Sequence, residues 1–313
     1  VANVTLTING VKVTVPKGTT VLKAATEAGF FIPIFCHTPE LTGFGACRIC
    51  VVEIQGMRNL PASCVTEATE GMVVQTESPA VVEARKTILE LILANHPLDC
   101  LTCEKNGSCL LQDYAFRYDV KGPGFEGQRH SFSIDDSNPY IIRDLNKCIL
   151  CGRCVRTCAQ VKDRAVIDYA FRGFDTKIAA PMDTPLGESD CVYCGRCVAV
   201  CPVGALSYKR LSGMGRVWEM EKKSVTCTFC DSGCEFDLVS KGGKVIGVAA
   251  KAPGPGRPLC LKGRLGLELL YCDDPQAPQL KKDGEFTEVP WAEALGLGPV
   301  LDKLRKIEGV EGE

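Results

Sequence analysis

The sequence has no apolar run near the roughly 18 residues that a membrane-spanning helix needs, so no transmembrane segment is expected. Its opening residues, Val1-Ala2-Asn3-Val4-Thr5-Leu6-Thr7-Ile8, lack a basic cluster and a long apolar stretch, which argues against a secretory leader. Charge of one sign is lacking too. The 36 Lys and Arg against 38 Asp and Glu leave a formal −2, without the clustered basic surface that nucleic acid demands. There is no Gly-x-Gly-x-x-Gly after a strand, no Walker loop and no convincing catalytic triad. The expectation is a cytoplasmic protein with no substrate site of its own.

Cysteine is abundant: 20 in 313 residues. Cysteine-rich secreted chains use disulfides. Here, however, the cysteines recur in Cys-x-x-Cys groups, too clustered to staple distant loops. Metal-ligand sets are the better reading, and metals can replace a hydrophobic core in small modules. Three or four small domains are therefore expected.

Residues 1 to about 80 read as β-rich. Val4-Thr5-Leu6-Thr7-Ile8 and Val11-Lys12-Val13-Thr14-Val15 alternate around an Asn9-Gly10 turn, and a helical segment from Thr20 to Ala28 stops at Gly29. A helix is predicted from Ala80 to Asn95, just before His96 and Pro97. Residues 120–140, rich in Gly, Pro and Ser, suggest a linker. Residues 143–212 hold an internal repeat, Cys-Ile-Leu-Cys-Gly-Arg-Cys-Val-Arg-Thr-Cys at 148–158 and Cys-Val-Tyr-Cys-Gly-Arg-Cys-Val-Ala-Val-Cys-Pro at 191–202, which implies one pseudo-symmetric unit.

Cys36, Cys47, Cys50 and Cys64 are spaced Cys-x10-Cys-x2-Cys-x13-Cys, with Gly43, Gly45 and Ala46 before the central pair. The long first gap resembles the N-terminal 2Fe-2S domain of the large iron–sulfur subunit of respiratory complex I and of its hydrogenase and formate dehydrogenase relatives. His96-Pro97-Leu98-Asp99-Cys100-x2-Cys103-x5-Cys109 resembles the His/Cys3 four-iron site of those families, which implies that His96, Cys100, Cys103 and Cys109 are ligands. Imidazole in place of thiolate should raise that cluster's potential. His37 and His130 have no such company and are expected at the surface.

The repeat resembles two-cluster bacterial ferredoxins, in which the fourth Cys of each run ligates the other cluster. That resemblance implies one 4Fe-4S set of Cys148, Cys151, Cys154 and Cys201, and another of Cys191, Cys194, Cys197 and Cys158. The double set is closer to monomer-type FeFe-hydrogenases and NAD-linked formate dehydrogenases than to complex I. Cys227, Cys230, Cys234 and Cys260, spaced Cys-x2-Cys-x3-Cys-x25-Cys, resemble the small cluster domain of molybdopterin oxidoreductases. Leu259-Cys260-Leu261-Lys262-Gly263-Arg264 matches that family, and Lys262 falls on its lysine between cluster and pterin. Asp283-Gly284-Glu285-Phe286 and Val289-Pro290-Trp291-Ala292-Glu293-Ala294-Leu295 look like the start of a pterin domain, with a helix expected from Trp291 to Ile307. Cys272 is left over and reads as a structural thiol.

The fold class implied is α+β and multi-domain: a β-grasp 2Fe-2S ferredoxin domain (1–80), a helical His/Cys3 module (81–125), a two-cluster ferredoxin domain (138–212), a molybdopterin-oxidoreductase-type cluster domain (222–272) and a tail (273–313). One 2Fe-2S and four 4Fe-4S clusters would add about −9 of charge in their oxidised states, so backbone N–H···S bonds and nearby Lys or Arg are needed. The resemblance implies an electron-transfer subunit beside an NADH- and FMN-binding flavoprotein, a further oxidoreductase subunit and ferredoxin, with FMN or FAD and NAD(P) held by the partners. Electron-bifurcating transhydrogenases of the Stn/Nfn kind fit first, and a split formate dehydrogenase or FeFe-hydrogenase second. A zinc-bearing structural protein is the reading from another class.

Overall fold

The computed structural model describes residues 2–161, 165–251, 260–271, 278–282, 285–294 and 296. The expected hairpin is present. β1 (Asn3–Ile8) and β2 (Val11–Pro16) pair antiparallel, and Asn9 and Gly10 both take positive φ, 49° and 85°, as a tight two-residue hairpin turn requires. The helix α1 (Val21–Glu27) is capped by Thr20, whose hydroxyl accepts from Lys23 N at 3.3 Å. The short strands β3 (Glu53–Ile54) and β4 (Val73–Gln75) complete a sheet ordered β2-β1-β4-β3, with β1 and β4 parallel. Leu6, Ile8 and Val74 from the sheet bury against Val21, Leu22 and Ala25 of α1. This is a β-grasp arrangement, and it leaves the cysteine loop between α1 and β3 on one edge.

Ser78 and Pro79 then start α2 (Pro79–Asn95), with the Ser78 hydroxyl facing Val81 N at 3.5 Å and proline in the first turn. The helix stops where His96 turns extended before Pro97, and α3 (Leu110–Arg117) follows the second group of cysteines. Arg85 of α2 is fully buried. It donates to Val51 O at 2.9 Å, to the Tyr118 hydroxyl at 2.7 Å and to Glu77 at 2.9 Å, so one guanidinium joins the β-grasp edge to both helices.

Residues 120–140 form a pinned strap. Asn95 donates to His130 Nδ1 at 2.6 Å, His130 N donates to Asn95 Oδ1 at 2.8 Å, and Phe132 N donates to Asn146 Oδ1 at 2.8 Å. The strap leads into β5 (Ile141–Arg143), which pairs with β8 (Leu206–Tyr208) and closes the repeat on itself. Between them lie α4 (Arg153–Arg156) with a π-helical continuation at Thr157–Val161, the hairpin of β6 (Asp168–Ala170) and β7 (Lys177–Ala179), and α5 (Arg196–Val200). The strands β9 (Glu221–Thr226), β10 (Glu235–Lys241) and β11 (Lys244–Ala250) form a meander. The helix α6 (Leu261–Tyr271) follows it.

Residues 1–267 make one compact unit and residues 268–313 a second. In the second, β12 (Gln279–Lys282) and β13 (Glu285–Glu288) form a hairpin and α7 covers Trp291–Ala294. The rest of the helix expected to Ile307 lies outside the described residues, apart from Gly296, and Cys272 lies outside them as well. No described helix is long and apolar enough to cross a membrane.

Replacing Arg85 with Ala strips partners from Val51 O and Tyr118 in a closed interior. The expected loss is about 2–4 kcal/mol, the range for a buried charged hydrogen-bonding group, discounted because Glu77 is partly exposed. It should register as a lower thermal midpoint and faster cluster bleaching of the purified protein.

Candidate iron–sulfur sites

All nineteen described cysteines carry free thiols. Cys36, Cys50 and Cys64 are almost wholly enclosed and Cys47 half so. The loop approaches itself so closely that a Cβ at Gly43 would lie 2.7 Å from Cys64 O, which only glycine avoids. Hydrogen bonds from the Cys47 and Cys64 thiols pull Cys36 down to about 2. A bond from Cys64 pulls Cys50 down to about 6. The donors Cys47 and Cys64 are pushed up in return, chiefly by those same bonds. Cys36 is thus bonded to Cys47 and Cys64, and Cys50 to Cys64, and these bonds favour thiolate, the metal-binding form, at Cys36 and Cys50.

His96, Cys100, Cys103 and Cys109 line one cavity. His96 is buried, and its Nδ1 lies 2.7 Å from Pro97 O, which fixes the proton on Nδ1. Nε2 is then a bare lone pair, and it is enclosed without any hydrogen-bond partner. Burial lowers the imidazole's pKa, keeping it neutral as a ligand must be. Cys109 stands at the N-cap position of α3, and burial raises its thiol. An orphaned acceptor beside three thiols fits a metal cluster.

All eight cysteines of the repeat line a single, almost wholly apolar cavity, walled by Ile141, Val166, Ile167, Ile178 and Leu186. The two loops share one backbone device. Leu150 and Tyr193 take φ of 52° and 56°, and Gly152 and Gly195, at 68° and 72°, start α4 and α5. That left-handed path bends each loop around its thiols, and Leu150 N donates to Cys148 Sγ at 3.4 Å. At Gly152 a Cβ would strike the Tyr169 hydroxyl.

The negative form of Cys148, Cys151 and Cys154 is opposed by Cys201, while that of Cys191 and Cys197 is opposed by Cys158. Cys154 is opposed by Cys197 as well, so the opposition of charge runs across both halves of the repeat. Burial is the main cause of the upward shifts: Cys148 to about 11, Cys151 to about 12, and Cys154 and Cys197 well above their ordinary value. Such thiols ionise only if a cation or cluster takes the charge.

Side chains outside the cysteine motifs tie these sites together. Arg156 Nη2 donates to Cys36 O and its Nη1 to Thr42 O at 2.8 Å, with the guanidinium over the Phe44 ring. Arg153 donates to Ile34 O at 3.3 Å, and its charge acts on Cys151, Cys47 and Cys36 together. Leu110 N donates to Pro202 O at 3.0 Å, joining the residues that follow Cys109 and Cys201. A Cβ at Gly204 would lie 2.7 Å from Cys103 Sγ. Lys147, paired with Asp144 and Asp99 at 3.2 and 3.3 Å, is raised despite its burial by Cys103 and Asp144. Burial lowers Lys105, which lies near Cys201, Cys109 and Cys103. The sequence signal for Arg153 and Arg156 lay in their place inside the cysteine loops; nothing marked Lys105, Lys147 or Tyr169.

Two expectations are corrected. His37 is half-buried with its Nδ1 enclosed and unpartnered. His130 is partly buried between Phe132 and Phe174, with Nε2 donating to Phe174 O at 2.5 Å. Neither is a plain surface residue, because each is held by packing from distant segments.

In the last set Cys227 and Cys234 are buried and joined by Cys227 N donating to Cys234 O at 2.8 Å, while Cys230 and Cys260 are exposed. Cys260 Sγ accepts from Gly263 N at 3.3 Å at the start of α6, and Gly266 packs against Phe229 of the 227–234 loop. The Lys262 side chain lies outside the described residues. Among the described residues no three His, Cys, Asp or Glu side chains converge where one metal ion would sit; the donors ring cavities instead.

Four family models match the chain in order. They are a 2Fe-2S iron-sulfur cluster binding domain at residues 1–79, the NADH-ubiquinone oxidoreductase-G iron-sulfur binding region at 85–123, the ferredoxin-like domain of NADH-quinone oxidoreductase subunit 3 at 138–207, and a molybdopterin oxidoreductase Fe4S4 domain at 220–272. A G-type NADH-quinone oxidoreductase subunit of Rhizobium meliloti is 38% identical over 92% of this chain and 34% of its own length. NADH-quinone oxidoreductase subunit 3 of Thermus thermophilus is 35% identical over 92% of this chain and 41% of its own. NADP-reducing hydrogenase subunit HndD of Solidesulfovibrio fructosivorans is 42% identical over 64% of this chain and 35% of its own. The chain therefore spans well under half the length of these relatives. A chain in the crystal structure of an NAD+-reducing NiFe-hydrogenase in the H2-reduced state aligns with a TM-score of 0.64 and 34% identity, covering 69% of this chain and 92% of that one. With four cluster-binding domain models matched along it and 34% identity across 92% of that hydrogenase chain, the chain belongs to the iron–sulfur protein family that includes the G-type subunits of NADH-quinone oxidoreductases and subunits of NAD(P)-reducing hydrogenases.

Proposed function

We propose that this chain relays single electrons as the iron–sulfur subunit of an NAD(P)H-linked oxidoreductase complex, taking them from or giving them to a flavoprotein neighbour. One observation carries the reading: eight cysteines ring one apolar cavity, which suits two inorganic clusters and offers a substrate no polar face. Bound clusters would supply the one-electron chemistry. The chain's own residues hold them, exclude water and offset their charge. Cys36, Cys47, Cys50 and Cys64 would bind a 2Fe-2S cluster. His96 with Cys100, Cys103 and Cys109, the two crossed repeat sets, and Cys227, Cys230, Cys234 and Cys260 would bind four 4Fe-4S clusters.

The finer reading is a subunit of a flavin-based bifurcating transhydrogenase that passes electrons to ferredoxin. Its support is the double cysteine repeat. A split formate dehydrogenase or FeFe-hydrogenase is the second reading, favoured by the β12–β13 hairpin and Trp291 helix that follow the last cysteine set. What co-purifies decides between them. Flavin with NADH- and NADPH-binding subunits is expected for the transhydrogenase; molybdenum, tungsten or an H-cluster protein would select the second. A colourless, zinc-loaded protein that stays EPR-silent on reduction would sink the relay altogether.

Two substitutions test the ligands. Cys50→Ser should abolish the two-iron EPR signal and leave the four-iron signals in place; a surviving two-iron signal refutes the first set. His96→Cys adds a negative thiolate where neutral imidazole stood, so the potential of that cluster should fall. An unshifted midpoint in a redox titration counts against ligation by His96.

A further inference from the structure

Arg85 and Arg143 are buried arginines of the ordinary kind, each with a carboxylate beside it: Glu77 at 2.9 Å and Asp135 at 2.8 Å. Arg153 and Arg156 of α4 are buried almost as deeply, 8% and 9% exposed. Among the described residues neither has an Asp or Glu within ion-pair distance, and the Nε of each is enclosed without a partner. A buried charge is held at high cost unless an anion answers it. Both side chains spend their hydrogen bonds on one segment of another module. Arg153 Nη2 donates to Ile34 O at 3.3 Å, Arg156 Nη1 to Thr42 O at 2.8 Å, and Arg156 Nη2 to Cys36 O. These carbonyls bracket Cys36 and offer dipoles without net charge, so two positive charges stay unmatched.

The cysteine repeat does not account for Arg156. Its second copy builds the same loop with Ala199 at that position, and Gly195 opens α5 as Gly152 opens α4. What Arg156 adds is reach into the Cys36 loop, where its guanidinium also lies 4.9 Å from the centre of the Phe44 ring. That loop has no cation of its own. Residues 36–47 contain Glu40 but neither Lys nor Arg, and the Arg48 side chain is turned to Leu60 O at 3.0 Å.

We propose that the two-iron site is completed across the module boundary: Arg153 and Arg156 hold the Cys36 loop by its carbonyls and set their charge beside the cluster of Cys36, Cys47, Cys50 and Cys64, raising its reduction potential above what the β-grasp domain alone would give. Both are positioning residues, and neither is a ligand. The inference rests on the ligand reading above. A reduced cluster carries one more negative charge than its oxidised form, so a fixed cation nearby favours reduction; cluster potentials follow net charge and hydrogen bonding.

Arg156→Gln in the full holoprotein removes the charge and keeps a side-chain donor. The expected result is unchanged iron content and a two-iron EPR signal whose midpoint falls below wild type in a redox titration. Arg156→Lys keeps the charge but cannot span two carbonyls, and its midpoint should fall less. A fully loaded Arg156→Gln with an unmoved two-iron midpoint overturns the proposal. So does an Arg156→Lys midpoint as low as that of Arg156→Gln, because lost hydrogen bonds would then explain the shift without charge. Should Arg156→Gln not load, Arg153→Gln gives up a single carbonyl bond and takes its place, with the same expected fall and the same refutation. Loss of four-iron signals from either variant, with the two-iron midpoint at its wild-type value, would mean that the arginines serve the repeat alone and also overturns it. Cys50→Ser separates the two levels. If the two-iron signal survives in it, the ligand reading fails and the inference with it; if the signal is lost there while the arginine variants keep the wild-type midpoint, the inference alone fails.

Discussion

Negative charge gathered in an apolar interior is the constraint to which the rest of the molecule answers. Cys154 and Cys197 are pushed far towards the neutral thiol chiefly by burial, and each cluster bound as proposed would bring more charge than the thiols it consumes. The chain meets this in three ways. Arg153 and Arg156 set guanidinium groups between the Cys36 loop and the repeat. Lys105 and Lys147 stand near Cys103. Backbone N–H groups are turned onto sulfur by left-handed loops and helix starts, as at Leu150 and Gly263. The neutral His96 lightens the load at one site by donating a lone pair without a charge.

These devices explain why modules of separate design pack as one unit up to Leu267. A counter-charge serves two sites only if it lies between them, and burying it requires the modules to close around it. Arg85 does the same for the β-grasp edge and the helices α2 and α3, without a cysteine among its partners. Hydrogen bonds to backbone carbonyls such as Cys36 O and Ile34 O hold the guanidinium Nη groups without neutralising them, so their field remains available to nearby thiolates.

Local features were legible in the sequence because their causes are local. The Asn9-Gly10 hairpin, the helix from Ala80 to Asn95 and the cysteine spacings all depend on neighbours within a turn or loop. That the two runs close on one shared cavity was legible only through resemblance to ferredoxins, since spacing does not say which loops meet in space. What escaped was the set of contacts between modules. Arg156 meets Cys36 across 120 residues, and Asn95 meets His130 across 35. Composition marked 120–140 as a linker, but short polar side chains from other segments pin it. The histidines were misplaced for the same reason, because their burial is imposed by segments that no local window contains.

The near-symmetry of the repeat ends where its two halves meet different neighbours. In the first half, Arg156 stands where the second has Ala199, and its guanidinium reaches the Cys36 loop. In the second half the link is Tyr208, whose hydroxyl donates to Gly195 O at 3.0 Å and accepts from Ala250 N of β11 at 2.9 Å. One loop is thereby bonded to the β-grasp domain and the other to the meander that precedes the last cysteine set. A duplicated motif needs identical loops to build two similar sites. It needs different neighbouring residues to face two different modules, as Arg156 against Ala199 does.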